Sequence, residues 1–161
     1  MTSVVVLSDT HSHRLSDIVC DHINACDLII HAGDFTTMDY YEYILSFGKD
    51  VVGVMGNMDD VPLSSVLPAQ QCITIEDWKI AVIHGWGAPA TLEKAIRSCF
   101  DEEDWDILIY GHSHQPIITY DNEKIIFNPG SPTDKRGAPF KSFGLINFDG
   151  TNRPECSIIQ L

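Results

Sequence analysis

The stretch Leu28-Ile29-Ile30-His31-Ala32-Gly33-Asp34 is an apolar run that halts at a glycine and then a carboxylate, the pattern of a buried strand delivering one charged group at its tip. Four more apolar runs end in the same manner, at Asp9-Thr10-His11, Gly56-Asn57, His84-Gly85 and Gly111-His112-Ser113-His114. In open α/β sheets ligands bind beyond the carboxyl ends of the strands, and these polar clusters fall at such ends. Asp9, His11, Asp34, Asn57, His84, His112 and His114 supply seven oxygen and nitrogen donors and no thiolate, one more than a single octahedral ion uses. Two divalent cations sharing one ligand account for the count better. Asp34 is taken as the shared one, because a carboxylate has two oxygens and a neutral imidazole cannot bridge.

Taken in order, Ser3–Leu7 is a β-branched run that reads as a central strand buried on both faces. Leu15, Ile18, Val19, His22 and Ile23 follow a helical period, and the next strand ends at Asp34. Tyr40, Tyr43, Ile44 and Phe47 mark a second helix before the strand Val51–Met55. The opening third is therefore α/β. Residues Pro62–Pro68 read as a loop crossing to a second sheet. Cys72–Ile75 and Trp78–Ile83 form a hairpin around Glu76-Asp77. Thr91 is expected to cap a helix with Leu92, Ala95, Ile96, Cys99 and Phe100 on its apolar face. The run Asp101-Glu102-Glu103-Asp104 reads as a solvated connection before the strand Asp106–Tyr110. Two further hairpins follow, Ile117–Tyr120 with Lys124–Phe127 and Phe143–Phe148 with Cys156–Gln160. Late antiparallel strands after early βαβ units predict two sheets packed face to face with helices outside.

At 161 residues, with 44% hydrophobic residues, the chain suits one compact domain spanning 1–161. A formal charge of −13 sets up a potential that repels polyanions, so long nucleic acid is a poor partner. Five cysteines with no CxxC pair, and no signal peptide ahead of Val4, read as reduced thiols in a cytoplasmic protein. No apolar run approaches the roughly 18–20 residues of a membrane span. Self-association is left open.

The ordered set Asp9-x-His11, Gly33-Asp34, Gly56-Asn57-x-Asp59, His84-Gly85 and Gly111-His112-Ser113-His114 resembles the calcineurin-like metallophosphoesterase superfamily. Asn128-Pro129-Gly130-Ser131 resembles the small single-domain bacterial and archaeal phosphodiesterase branch. The resemblance implies a four-layer αββα sandwich of two mixed sheets flanked by helices. It also implies a binuclear centre with Asp9, His11 and His114 on one ion, Asn57, His84 and His112 on the other, and Asp34 between them. Two ions about 3.5–4 Å apart activate a bridging hydroxide for in-line attack on a small phosphodiester. Asp34, Asn57 and His112 are the residues closest to that chemistry. Mn²⁺ is the first choice of ion, with Ni²⁺, Fe²⁺, Co²⁺ and Zn²⁺ also suited to histidine and carboxylate. A second reading is a protein-interaction scaffold resembling the small subunit of retromer, which has lost parts of the metal site.

One position departs from the pattern. Many members continue the Gly-Asn motif with a histidine that gives the leaving group a proton, and here Met58 stands there. His13 is the nearest other donor in sequence, although it reads first as a surface or helix-start residue. His31 and His22 read as packed histidines. Asp59 either orients the Asn57 loop or simply forms its turn. Asn57 is a candidate phosphate contact, as are Lys135 and Arg136, for which a solvated loop is the default. Trp86 either lines a substrate cleft or packs.

Overall fold

The computed structural model describes residues 1–150 and 152–161. The N-terminal run forms β1 (Thr2–Leu7), followed by α1 (Asp17–Ala25), β2 (Leu28–His31), α2 (Met38–Leu45) and β3 (Asp50–Gly53). β1, β2 and β3 pair in parallel. A short 3-10 turn, Val61–Ser65, carries the chain to the second sheet, where β4 (Gln70–Ile75) and β5 (Trp78–Ile83) pair antiparallel. Next come α3 (Pro89–Arg97), β6 (Ile107–Ile109) parallel to β5, and the hairpin of β7 (Ile117–Asp121) and β8 (Lys124–Asn128). β9 (Ser142–Phe148) and β10 (Glu155–Gln160) return to the first sheet, β9 antiparallel to β1. The strand orders are β10-β9-β1-β2-β3 and β4-β5-β6-β8-β7, both mixed.

The period-two alternation of the strands divides the chain into layers. Val4 and Val6 point into the space between the sheets, where they meet Ile80, Val82, Ile107, Ile109 and Phe127. Val5 and Leu7 point the other way, onto Val19 and Ile23 of α1 and Ile44 of α2. Ala81 and Leu108 face outward from the second sheet onto Leu92 and Ile96 of α3. Three apolar clusters between four layers give the αββα sandwich. Each fully buried valine or isoleucine contributes about 1.5–3 kcal/mol.

Several local expectations are corrected. Thr91 is not the cap of α3: Ala88 holds that position, Pro89 begins the helix, and Thr91 lies within its first turn. Proline's fixed φ and missing N–H suit the first helical position, so the start is set by Pro89. Ile18 keeps the helical period but is 53% exposed, because α1 offers the sheet only the stripe through Val19 and Ile23. The acidic run is the exposed connection expected, and it carries structure as well. Glu102–Asp104 forms a 3-10 turn, and Glu102 pairs with Arg97 at 3.3 Å and Lys124 at 3.6 Å. The Pro62–Pro68 loop likewise begins as the 3-10 turn, capped by the Asp60 carboxylate and buried through Leu63.

Candidate metal centre

β1 and β2 end side by side, and the loops beyond them are laced together. The N–H groups of Asp9, His11 and Ser12 donate to the carbonyls of Gly33, Asp34 and Phe35 at 2.9–3.0 Å. Both loops turn sharply. Asp9, His11, Asp34, His112 and His114 all adopt positive φ, between 48° and 68°. A non-glycine residue held there costs about 1–3 kcal/mol and persists only where its surroundings impose it. Two motif glycines make the close approach feasible. A Cβ at Gly56 would overlap the Asp34 carboxylate, and one at Gly111 would overlap the Ser8 hydroxyl.

All seven sequence-predicted donors converge. Around one point stand Asp9, His11 and His114: His114 Nε2 is 3.2 Å from Asp9 Oδ1 and 3.2 Å from His11 Nε2. Around a second stand Asn57, His84 and His112, with Asn57 Oδ1 3.1 Å from His84 Nε2 and 2.9 Å from His112 Nδ1. Asp34 Oδ2 lies 3.4 Å from His84 Nε2 and 3.7 Å from His11 Nε2, so it faces both groups. Its Oδ1 accepts the Met58 N–H at 2.8 Å. Asp9 Oδ1 also reaches toward the second group, 3.9 Å from His84 Nε2.

The hydrogen bonds behind the imidazoles set their tautomers. His84 Nδ1–H donates to Ala32 O at 2.7 Å, and His114 Nδ1–H to Asp134 O at 2.5 Å. His112 is turned round: its Nε2–H donates to Gly87 O at 3.1 Å, leaving Nδ1 inward. A carbonyl can only accept, so in each neutral ring the inward nitrogen carries a lone pair. With both rings neutral, Asn57 Oδ1, His84 Nε2 and His112 Nδ1 are three acceptors crowded together, and a proton or a cation has to stand among them. Asp9 Oδ1 is buried and receives no hydrogen bond from the described residues. Donors about 2.1 Å from one ion stand about 3.0–3.4 Å apart at octahedral to tetrahedral angles, the spacing found here. The residues present suit a pair of divalent cations.

Ionisation follows the same crowding. Burial pushes the Asp9 and Asp34 carboxyls up, but the facing imidazoles, with Ser8 and Met58, outweigh it and hold both below the usual range. Burial pushes His84 and His114 down, and contact with Asp34 and Asp9 outweighs it, so both rise. A proton on either ring and a cation at its inward nitrogen are therefore alternatives. His11 goes the other way, lowered chiefly by burial.

The supporting residues divide into those foreseen and those not. Asp59 does hold the loops: Gly56 N–H, Thr36 N–H and Asp34 N–H donate to its carboxylate at 2.7, 2.6 and 3.3 Å. Asn128 Nδ2 donates to Gly111 O at 2.9 Å, and Ser131 Oγ to Asp9 O at 2.8 Å, so the Asn128–Ser131 turn steadies the His112 loop and Asp9. His31 is a buried histidine stacked on Phe35 at 3.6 Å, with Thr10 on its Nε2. His22 is half-buried against Phe143. His13 is exposed, and its carbonyl accepts the Tyr40 hydroxyl. Arg136 is exposed, with Nη1 3.5 Å from His112 O, and Lys135 is exposed beside it. Trp86 lines a cleft with Asn57 and His84. Sequence reasoning missed Ser8, whose hydroxyl donates to Asp9 Oδ2 at 2.7 Å, and Thr133, which donates to Thr10 O at 2.9 Å. Ser8 carried a signal, a polar residue ending a buried run; Thr133 carried none.

A probable metallophosphoesterase of Methanocaldococcus jannaschii is 39% identical over 149 residues, 89% of this chain and 74% of that protein. A phosphodiesterase of the same organism is 25% identical over 78% of this chain and 81% of its own length. The crystal structure of Vps29 from Entamoeba histolytica, complexed with Zn²⁺, superimposes with a TM-score of 0.73 at 24% identity, covering 98% of both chains, and so shares the fold. Residues 2–151 match the model of the calcineurin-like phosphoesterase superfamily domain, and it is to this superfamily that the chain belongs.

Proposed function

We propose that this chain is a phosphodiesterase working with two divalent cations, one held by Asp9, His11 and His114, the other by Asn57, His84 and His112, with Asp34 shared. The observation that carries the reading is the convergence of donors from both sheets, with His84 Nε2 and His112 Nδ1 3.1 and 2.9 Å from Asn57 Oδ1 and Asp34 Oδ2 3.4 and 3.7 Å from His84 Nε2 and His11 Nε2. When bound, such cations neutralise phosphoryl oxygens and lower the pKa of the water that attacks phosphorus. The chain's own residues position and balance charge. Asn57 turns Oδ1 to the imidazoles, and its Nδ2–H groups remain to donate to a phosphoryl oxygen. Arg136, beside His112, offers a guanidinium at the rim. Two carboxylates and four imidazoles suit Mn²⁺ first, with Ni²⁺, Fe²⁺, Co²⁺ and Zn²⁺ as alternatives.

The phosphodiesterase relative and the strong negative charge both favour small diesters over polymers. Five free cysteines suit a reducing compartment such as the cytoplasm. Likeness to a Vps29 fold supports an interaction scaffold as the second reading. One experiment separates the two. With Mn²⁺ added, the wild type should hydrolyse bis(p-nitrophenyl) phosphate, and Asp34→Asn should lose at least about a hundredfold in kcat/KM, near 2.7 kcal/mol of transition-state stabilisation. Wild type and variant equally inert with Mn²⁺, Ni²⁺, Co²⁺ and Zn²⁺ would favour the scaffold.

A further inference from the structure

A cleft of about 290 Å³ opens beside the Asn57–His84 half of the centre, walled by Met55, Ile83, Trp86 and Cys99 with the Gln70 amide at its edge. Trp86 is 52% exposed. Its neighbours Gly85 and Gly87 both adopt positive φ, 93° and 88°, and Gly87 O holds His112. The indole is thus carried on a segment tied directly to one of the seven donors. Among the described residues the Gln70 side chain makes one long bond, 3.4 Å to Cys99 O, so its amide retains hydrogen-bonding capacity.

Asn57 and His84 line both the centre and this cleft, so an arm of an ester reacting at the centre can extend into it. The cleft is at the small end of ligand pockets, about 300–1,000 Å³, and has room for one ring system. An indole and apolar side chains with the exposed Gln70 amide beside them match the flat face and polar edge of a nucleobase better than a plain alkyl chain. Gln70 and Cys99 also border a second depression whose walls include Asp101 and Asp104. A further phosphate on the same arm would meet those carboxylates, so the arm is neutral beyond the reacting phosphorus.

We propose that this cleft takes one ester arm of the substrate and that the arm is a single nucleoside, its base stacked on Trp86. This rests on the phosphodiesterase reading and names the class of diester. The test compares binding of two phosphomonoesters, the kind of product such a reaction leaves, to Mn²⁺-supplemented protein by calorimetry and by tryptophan fluorescence. AMP should bind about tenfold tighter than ribose 5-phosphate, the scale of one base–aromatic stack. Trp86→Ala should bring the two to equal affinity, and Trp86→Phe should retain most of the preference while losing the AMP-dependent quench. Equal affinities in the wild type, or a preference for AMP that survives in Trp86→Ala, would overturn the nucleoside subsite and leave the phosphodiesterase reading standing. Protein that binds neither ligand and hydrolyses no diester would overturn both.

Discussion

Met58 places a thioether where a proton donor would serve the departing alcohol, yet its backbone is committed to the site through the N–H bonded to Asp34 Oδ1. The side chain is 57% exposed, so the position has room for an imidazole. General acids contribute about 10²–10⁴ in rate, and mainly where the leaving group is a poor one. Met58→His should therefore raise kcat for an alkyl diester by about a hundredfold and hardly change that for an aryl diester. Comparing the two leaving groups in both proteins checks this. Gly56 is constrained in the opposite sense, since a methyl there would run into Asp34. Gly56→Ala should abolish Mn²⁺ uptake, measured by elemental analysis after dialysis, while β2 and β3 still pair.

Among the elements, those with a strong local period were legible before the structure: the βαβ opening, the β4–β5 and β7–β8 hairpins, and the helix faces through Val19, Ile44 and Ile96. The seven donors were legible because each sits where an apolar run stops. The start of α3 was misread because Thr91 carries the chemistry of a cap, and only the backbone shows that Pro89 comes first. Carbonyls that orient imidazoles, at Ala32, Gly87 and Asp134, leave no trace in sequence, since every residue has one. Asp59 links elements distant in the chain, the end of β2 and the end of β3, by accepting three backbone N–H groups. Asp59→Ala would leave those donors without that partner, at about 1–3 kcal/mol for any that stays buried and unsatisfied. Loss of such outer support typically weakens metal affinity about 10–100-fold. A lower Tm in chelator together with a weaker Mn²⁺ titration would bear this out; an unchanged titration would count against it.

For the whole molecule, proton and cation compete for the same nitrogens. His84 and His114 have raised pKa values in the metal-free protein, so they stabilise it fully below the unfolded value of about 6.5, and that contribution fades as pH rises through the folded values. Asp9 and Asp34 are lowered, so their contribution is present above about 3.9 and fades as pH falls through the folded values. The rise in Tm on adding Mn²⁺ should accordingly grow as pH climbs from 6 to 8. Scanning calorimetry with and without the ion reads that difference, and groups remote from the centre cancel out of it. A rise that shrinks with pH would contradict the assignment of these two rings. The same sharing has a mechanical side. Asp9, His11, Asp34 and Asn57 follow strands of the first sheet, while His84, His112 and His114 follow strands of the second. Each proposed ion therefore draws on both halves of the sandwich and rivets its upper seam. Whatever pries the two leaves apart at that end must first let the cargo go.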